Sequence, residues 1–208
     1  MNYWRFIDSP ALSPKENMEL DKSLLEAKKP TFRLYTWEKN SFSIGRSQNI
    51  EDIKKRDKLG DSWAKRVTGG GILLHGFDLS YSITIPTKDL GGRSVKESYE
   101  YLCGFLLHFY KGLGLHVEYA KDTSLDLSKS KFCQVGFEPY DIIYQGKKLG
   151  GNAQRRTKDM LLQHGSIPLK KDIRGFSGHS LDEFKIIIGE KEGKKLLKNS
   201  FIETISLL

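Results

Sequence analysis

The segment "LSYSITI" alternates Leu79, Tyr81, Ile83 and Ile85 with Ser80, Ser82 and Thr84, the two-residue period of a strand with one face buried. Elsewhere the pattern shifts to the helical period. Ser13 is a helix N-cap, with Pro14 at the first helical position and Glu16 completing a capping box. Met18, Leu24 and Leu25 follow as an apolar stripe. Ser94 and Glu97 form a second box, and Val95, Tyr99, Leu102, Leu106, Phe109 and Leu113 then recur at steps of three and four until Gly112 and Gly114 end the helix. A third box, Ser180 with Glu183, predicts a lysine-rich helical segment over residues 180–208.

Between the helices lie short aromatic or β-branched runs bounded by polar residues: "YWRFID", "TFRLYTW", "FSIG", "WAKRV" and "ILLH". Further on, "YDIIYQ", "KKLGGNAQRR" and "MLLQHGSI" are joined by the turn-formers Gln145-Gly146-Lys147 and Thr157-Lys158-Asp159. Connections that short join antiparallel neighbours. The expectation is an α/β chain of the α+β type: a mixed, largely antiparallel sheet flanked by helices.

A chain of 208 residues is long enough for one full hydrophobic core, so residues 1–208 are read as one domain. No apolar run nears the length of about 18 residues needed to span a bilayer, and the N-terminus has no signal-peptide core. A cytoplasmic protein with no membrane partner is expected. The two cysteines build no disulfide framework, and no C-x-x-C pair suggests zinc. The formal charge of +8 attracts polyanions, but no RNA-binding or helix-turn-helix pattern accompanies the scattered lysines, which argues against nucleic acid.

Candidate chemistry gathers in two places. In "RVTGGGILLHG" three consecutive glycines, Gly69, Gly70 and Gly71, separate two strand-like runs; such a loop brings backbone N–H groups close to a ligand, or merely turns. It matches neither the dinucleotide fingerprint nor the P-loop. Arg66 just before it suits a phosphate or a solvated strand end, and His75 just after it suits a site or a satisfied core. The second place is "KFCQVGFEPYDIIYQGKKLGGNAQ", where Cys133 stands eight residues ahead of Asp141 and a lysine, Lys148, follows on the next strand. The other cysteine, Cys103, lies beside the stripe of the second helix and reads as a core residue.

Five blocks, "WRFIDSPALSPKENMELDKSLL", "RLYTWEKNSFSIGRSQ", "RVTGGGILLHGFDLSYSI", "YKGLGL" and "GKKLGGNAQRRTKDMLLQHGSI", resemble in order the blocks of the lipoate-protein ligase superfamily across residues 3–168. The resemblance implies the fold of the biotin/lipoate protein ligase catalytic domain. It implies octanoyl or lipoyl substrates, with lipoyl domains of 2-oxoacid dehydrogenases or the glycine-cleavage H protein as acceptors. "FCQVGFEPYD" is similar to the nucleophile segment of the cysteine-type octanoyltransferases, which take octanoyl from acyl carrier protein. On that likeness Cys133 is the nucleophile and Lys148 its catalytic partner. Arg66, Thr68, Gly69, Gly70, Gly71, His75, Gly150, Gly151, Asn152, Ala153, Gln154, His164 and Gly165 are the substrate-binding candidates. Ile72, Leu73 and Leu74 are the expected wall for the acyl chain.

A transferase of this kind needs no cofactor and no metal. The alternatives are an ATP- and Mg-dependent ligase working through an acyl-adenylate, disfavoured by the forty or so residues after "HGSI", an amidotransferase moving octanoyl or lipoyl between proteins, and a non-catalytic binding module.

Overall fold

Ser13 opens the first helix as the pattern predicts: its hydroxyl accepts from the Glu16 N–H, and the Glu16 carboxylate accepts from the Ser13 N–H at 3.0 Å. The helix, α1, runs Pro14–Glu26 in this computed structural model, which describes residues 3–56, 59–127, 136–174 and 179–205. The Ser94–Glu97 box opens α3 (Val95–Gly112) in the same way. A short helix that the pattern did not predict, α2 (Ile50–Arg56), lies between them.

The strands β1 (Arg5–Leu12), β2 (Thr31–Trp37), β6 (Asp78–Pro86), β7 (Glu118–Tyr119), β8 (Ile142–Tyr144), β9 (Lys147–Arg156) and β10 (Met160–Pro168) form one sheet in the order β1-β2-β6-β10-β9-β8-β7. Only β1 and β2 pair in parallel; every other pairing in this sheet is antiparallel. A second sheet sets β3 (Ser41–Ile44) between β4 (Trp63–Lys65) and β5 (Leu73–His75), and carries its own apolar cluster of Phe42, Ile44, Ile53, Leu59, Ile72 and Leu74. The mixed, largely antiparallel sheet flanked by helices is the expected fold class.

Two expectations need correction. Among the described residues, 180–205 are not one continuous helix. The Ser180–Glu183 box closes a single 3-10 turn, Leu181–Phe184, and Lys185 then turns left-handed at φ 62°, which ends it. The true last helix, α4, runs Glu190–Thr204. The strand β6 is not half-buried either. Its Leu79, Tyr81, Ile83 and Ile85 pack into the core with Leu102, Phe105 and Leu106 of α3 and Phe201 of α4, and its polar residues are buried too. Cys103 belongs to that core, as expected.

Buried Ser80, Ser82 and Thr84 are tolerable because each hydroxyl is satisfied, Ser80 by Asp78, Ser82 by Asp21 and Thr84 by the Lys29 carbonyl. Asp21, on α1, is the centre of this polar layer. It meets the fully buried guanidinium of Arg33 at 2.8 Å and accepts from Ser82 at 2.8 Å and from the Tyr35 hydroxyl at 3.3 Å. Arg33 is held in turn by the Ser9 hydroxyl and by the backbone and side-chain oxygens of Asn17, and it lies 3.9 Å over the Tyr35 ring. A buried ion pair survives only when its remaining donors and acceptors are filled, and here they are.

Removing one partner strands the other charge. Arg33→Met is expected to lower stability by about 3–5 kcal/mol in chemical denaturation. A loss below about 1 kcal/mol, the value of an exposed pair, would contradict that assignment.

Candidate active site

The polar layer fronts a cavity of about 610 Å³. One wall is the glycine loop between β4 and β5. At Gly70 φ is +95°, a conformation that only glycine adopts without strain, which accounts for one of the three glycines. A second glycine requirement lies opposite: a Cβ on Gly45 would sit 1.9 Å from the Gly70 carbonyl oxygen, so the chains touch backbone to backbone. Arg66 is not a solvated strand end. It is buried and donates to the Ser43 hydroxyl at 2.8 Å and to the carbonyls of Gly71 at 2.7 Å and Gly69 at 3.3 Å.

His75 is sandwiched below this loop. Its Nδ1 lies 3.0 Å from Asp78 and its Nε2 2.8 Å from the Ser43 hydroxyl, while the Trp37 ring stacks on it at 3.7 Å. Burial pushes the imidazole below its ordinary pKa against the pull of Asp78, so it is neutral near pH 7. Asp78 is raised by burial but held below the ordinary range by His75, the Ser166 hydroxyl and the Gly76 N–H. On β10, His164 has the same arrangement: Nδ1 is 3.1 Å from Asp21 and Nε2 is 2.6 Å from the Thr68 hydroxyl. Asp21, raised by burial, is nonetheless kept below the ordinary carboxylate range by His164, Arg33 and Ser82.

The opposite wall carries Lys148. Its Nζ is 2.6 Å from Asp141 and 2.8 Å from the Gly136 carbonyl, and both side chains are almost wholly buried. Burial pushes the Asp141 carboxyl up to about 6, against the opposing effects of Lys148 and the Glu138 N–H. The site thus places a lysine amine beside a carboxyl that changes protonation near neutrality, the pairing that acid–base chemistry uses.

Of the predicted residues, Arg66, Gly69, Gly70, Gly71, His75, Lys148, Gly151, Asn152, Ala153, Gln154, His164 and Gly165 surround this cavity. Thr68 and Gly150 stand behind it. Thr68 is bonded to His164, and at Gly150 a Cβ would lie 2.4 Å from the Ser166 carbonyl oxygen, so β9 and β10 could not pair as they do. Gly165 has a similar role: a Cβ would lie 2.4 Å from Asn152 Oδ1, which accepts from the Tyr81 hydroxyl at 2.6 Å. The Oε1 of Gln154, a residue of the cavity wall, is buried without a hydrogen-bond partner among the described residues. Cys133 lies in 128–135, outside the described residues.

The acyl wall differs from expectation. Only Leu73 of the three lines the cavity, because strand alternation turns Ile72 and Leu74 into the cluster with Phe42 and Ile44. Met18, Tyr35 and Trp37, packed together, supply the apolar surface instead. Asp21, Asp78 and Ser43 also escaped the sequence reading. Asp21 sits one turn from Met18 and Leu24 on the buried face of α1, and a carboxylate on an apolar stripe was its signal. Among the described residues no group of three or more His, Cys, Asp or Glu is arranged to hold a metal, and no helix is long and apolar enough to cross a membrane.

The lipoyl protein ligase A/B catalytic domain model matches residues 13–201. The chain belongs to that family. Two relatives named Octanoyltransferase LipM are similar over most of it. The Brevibacillus brevis protein is 34% identical over 192 residues, covering 83% of this chain and 68% of the relative. The Carboxydothermus hydrogenoformans protein is 40% identical over 185 residues, covering 83% and 67%. Among solved structures, a bipartite lipoate protein ligase from Thermoplasma acidophilum superposes with a TM-score of 0.71 over 99% of this chain and 84% of its own, at 18% identity. At that identity the likeness establishes the fold alone; the family model and the two relatives bear out, at the level of family, the resemblance of the five sequence blocks.

The Asp141 carboxyl generates a test. In the folded chain it holds its proton up to pH about 6, whereas unfolded it releases it near 3.8. The folded state therefore binds more protons between those values, and this group's contribution to stability declines as pH rises through the window, by about 3 kcal/mol at most. Side-chain carboxyl ¹³C NMR should show Asp141 titrating near 6; a midpoint below 4 would remove the premise.

Proposed function

We propose that this chain is an acyltransferase of protein lipoylation. It takes octanoyl from octanoyl-acyl carrier protein onto Cys133 and passes it to a lysine of a lipoyl domain or of the glycine-cleavage H protein. The observation that carries the reading is the likeness, at 34% and 40% identity, to relatives named for octanoyl transfer. The buried Lys148–Asp141 pair facing the cavity supports it.

In the first step the Cys133 thiolate attacks the thioester carbonyl. A carbon–sulfur bond forms, the carbonyl electrons move to oxygen, and their return expels the carrier thiolate, which takes up a proton. One thioester replaces another, so the step is close to balanced and needs no ATP or other cofactor. It does need a thiolate at neutral pH, and a free cysteine ionises only at about 8.5. A nearby cation lowers that value. Lys148, whose Nζ donates to the carbonyl of Gly136, three residues after Cys133 in the chain, is the cation this reading assigns.

In the second step the acceptor amine attacks the acyl-cysteine, the carbon–nitrogen bond forms, and the Cys133 thiolate leaves. The amine must shed its proton, and the Lys148–Asp141 pair is a fitting acceptor because Asp141 is partly ionised near pH 6. Backbone N–H groups of the glycine loop are suited to hold the developing oxyanion. The apolar surface of Met18, Tyr35, Trp37 and Leu73 suits the octanoyl chain. A formal charge of +8 favours fast, salt-sensitive docking of acidic carrier and acceptor domains. ATP and Mg enter only in the ligase alternative.

Incubation with octanoyl-acyl carrier protein, without ATP, should give one octanoyl adduct by intact mass. Cys133→Ala should give none, and Lys148→Met should slow adduct formation about a hundredfold, as loss of a positioned acid–base group does. An adduct of equal yield on Cys133→Ala would refute the route through this cysteine.

A further inference from the structure

The glycine loop is gripped from two sides by the same device. At its start, Asp21 Oδ2, His164 and the Thr68 hydroxyl form a line: 3.1 Å from carboxylate to Nδ1, then 2.6 Å from Nε2 to Oγ1. At its middle and end, Asp78, His75 and Ser43 form a second line at 3.0 and 2.8 Å, and Arg66 extends it through Ser43 to the carbonyls of Gly69 and Gly71. At His75, neutral near pH 7, Asp78 accepts from Nδ1–H, which leaves Nε2 to accept from the Ser43 hydroxyl; at His164, Asp21 pairs with Nδ1 and the Thr68 hydroxyl with Nε2.

The first line has the residue types and order of a nucleophilic triad. Its hydroxyl does not serve as one: Thr68 is buried and stands behind the cavity, its hydroxyl engaged by His164. What it does fix is backbone. Thr68 is followed directly by Gly69, Gly70 and Gly71, and a run of glycines has the largest conformational freedom of any sequence. A cradle made of such a run is useful only if the surrounding structure removes that freedom before the ligand arrives. The Thr68 carbonyl is tied as well, accepting from the Arg46 N–H at 2.9 Å.

We propose that Asp21 and His164, acting through Thr68, are positioning residues that hold the glycine loop as a preformed cradle for the acyl carbonyl, with Asp78, His75 and Ser43 as the matching grip at its far side. Asp21 and Asp78 touch no ligand in this scheme. The positioning role rests on the acyl-transfer reading, whereas the grip on the loop is independent of it.

Thr68→Val keeps the shape of the side chain and deletes the hydroxyl; Thr68→Ser keeps the hydroxyl. Backbone hydrogen exchange of the full chain, read on a peptide covering residues 67–72, is expected to speed up about five- to tenfold in Thr68→Val, the worth of one neutral hydrogen bond, and to stay near wild type in Thr68→Ser. The rate of octanoyl adduct formation from octanoyl-acyl carrier protein at saturation should fall by a similar factor in Thr68→Val and recover in Thr68→Ser, with the half-saturating concentration unchanged. A side chain that merely stabilised the fold would shift the melting temperature without that split. Exchange in Thr68→Val equal to wild type overturns the grip. Faster exchange beside a wild type that takes no octanoyl group overturns the acyl-transfer reading, and with it the positioning role.

Discussion

The contact on which the site depends is the buried pair of Arg33 and Asp21. A guanidinium and a carboxylate wholly removed from water are costly, and the structure offsets that cost with a shell of donors and acceptors drawn from β1, β2, β6 and α1. The consequence is directional. Asp21 has nowhere else to turn, so its second oxygen faces β10 and pairs with His164 Nδ1, and His164 reaches Thr68 at the head of the glycine loop. A charge pair under α1 thereby sets the position of a loop on the second sheet.

The same logic separates the two faces of the main sheet. The face under α3 and α4 is packed with aromatic and aliphatic side chains, Phe32 stacking on Phe201 at 4.0 Å and Tyr81 meeting Phe105 edge-on. The face under α1 carries serines, threonine, aspartates and histidines, every one satisfied by a neighbour, so it is rigid without being apolar. A cavity built against such a face can hold an apolar chain on Met18, Tyr35 and Trp37 while presenting fixed polar groups at its other end. Lys148 and Asp141 complete that end from β9 and the turn before β8.

Much of this was legible in the sequence, and the exceptions have physical causes. Capping boxes at Ser13 and Ser94 are local, so they predicted two helices correctly; the box at Ser180 was read as a long helix because a 3-10 turn begins with the same contacts. The alternation of β6 identified its core face, but a polar face buried under a helix has the same pattern as one facing water. Glycine-rich and lysine-bearing motifs led to the cavity because their spacing is short. Asp21 and Ser43 went unseen because each acts on a residue brought near only by folding, Asp21 on His164 143 positions away and Ser43 on His75 32 away; Asp78 is a near neighbour of His75, but its partner Ser166 is 88 positions off. Two of the three residues expected to wall an acyl chain face away from the cavity for the same reason, since Ile72 and Leu74 pack on Phe42 and Ile44 of β3, about thirty positions earlier in the chain.

The central claim is that this cavity moves an acyl group that arrives already activated. The most direct measurement supplies the protein with an unmodified lipoyl domain and either octanoyl-acyl carrier protein alone or free octanoate with ATP and Mg, and reads octanoyl-lysine by mass. The account predicts amide product from the carrier thioester without nucleotide, and none from the free acid with ATP. Product from the free acid with ATP, and none from the thioester, would contradict it.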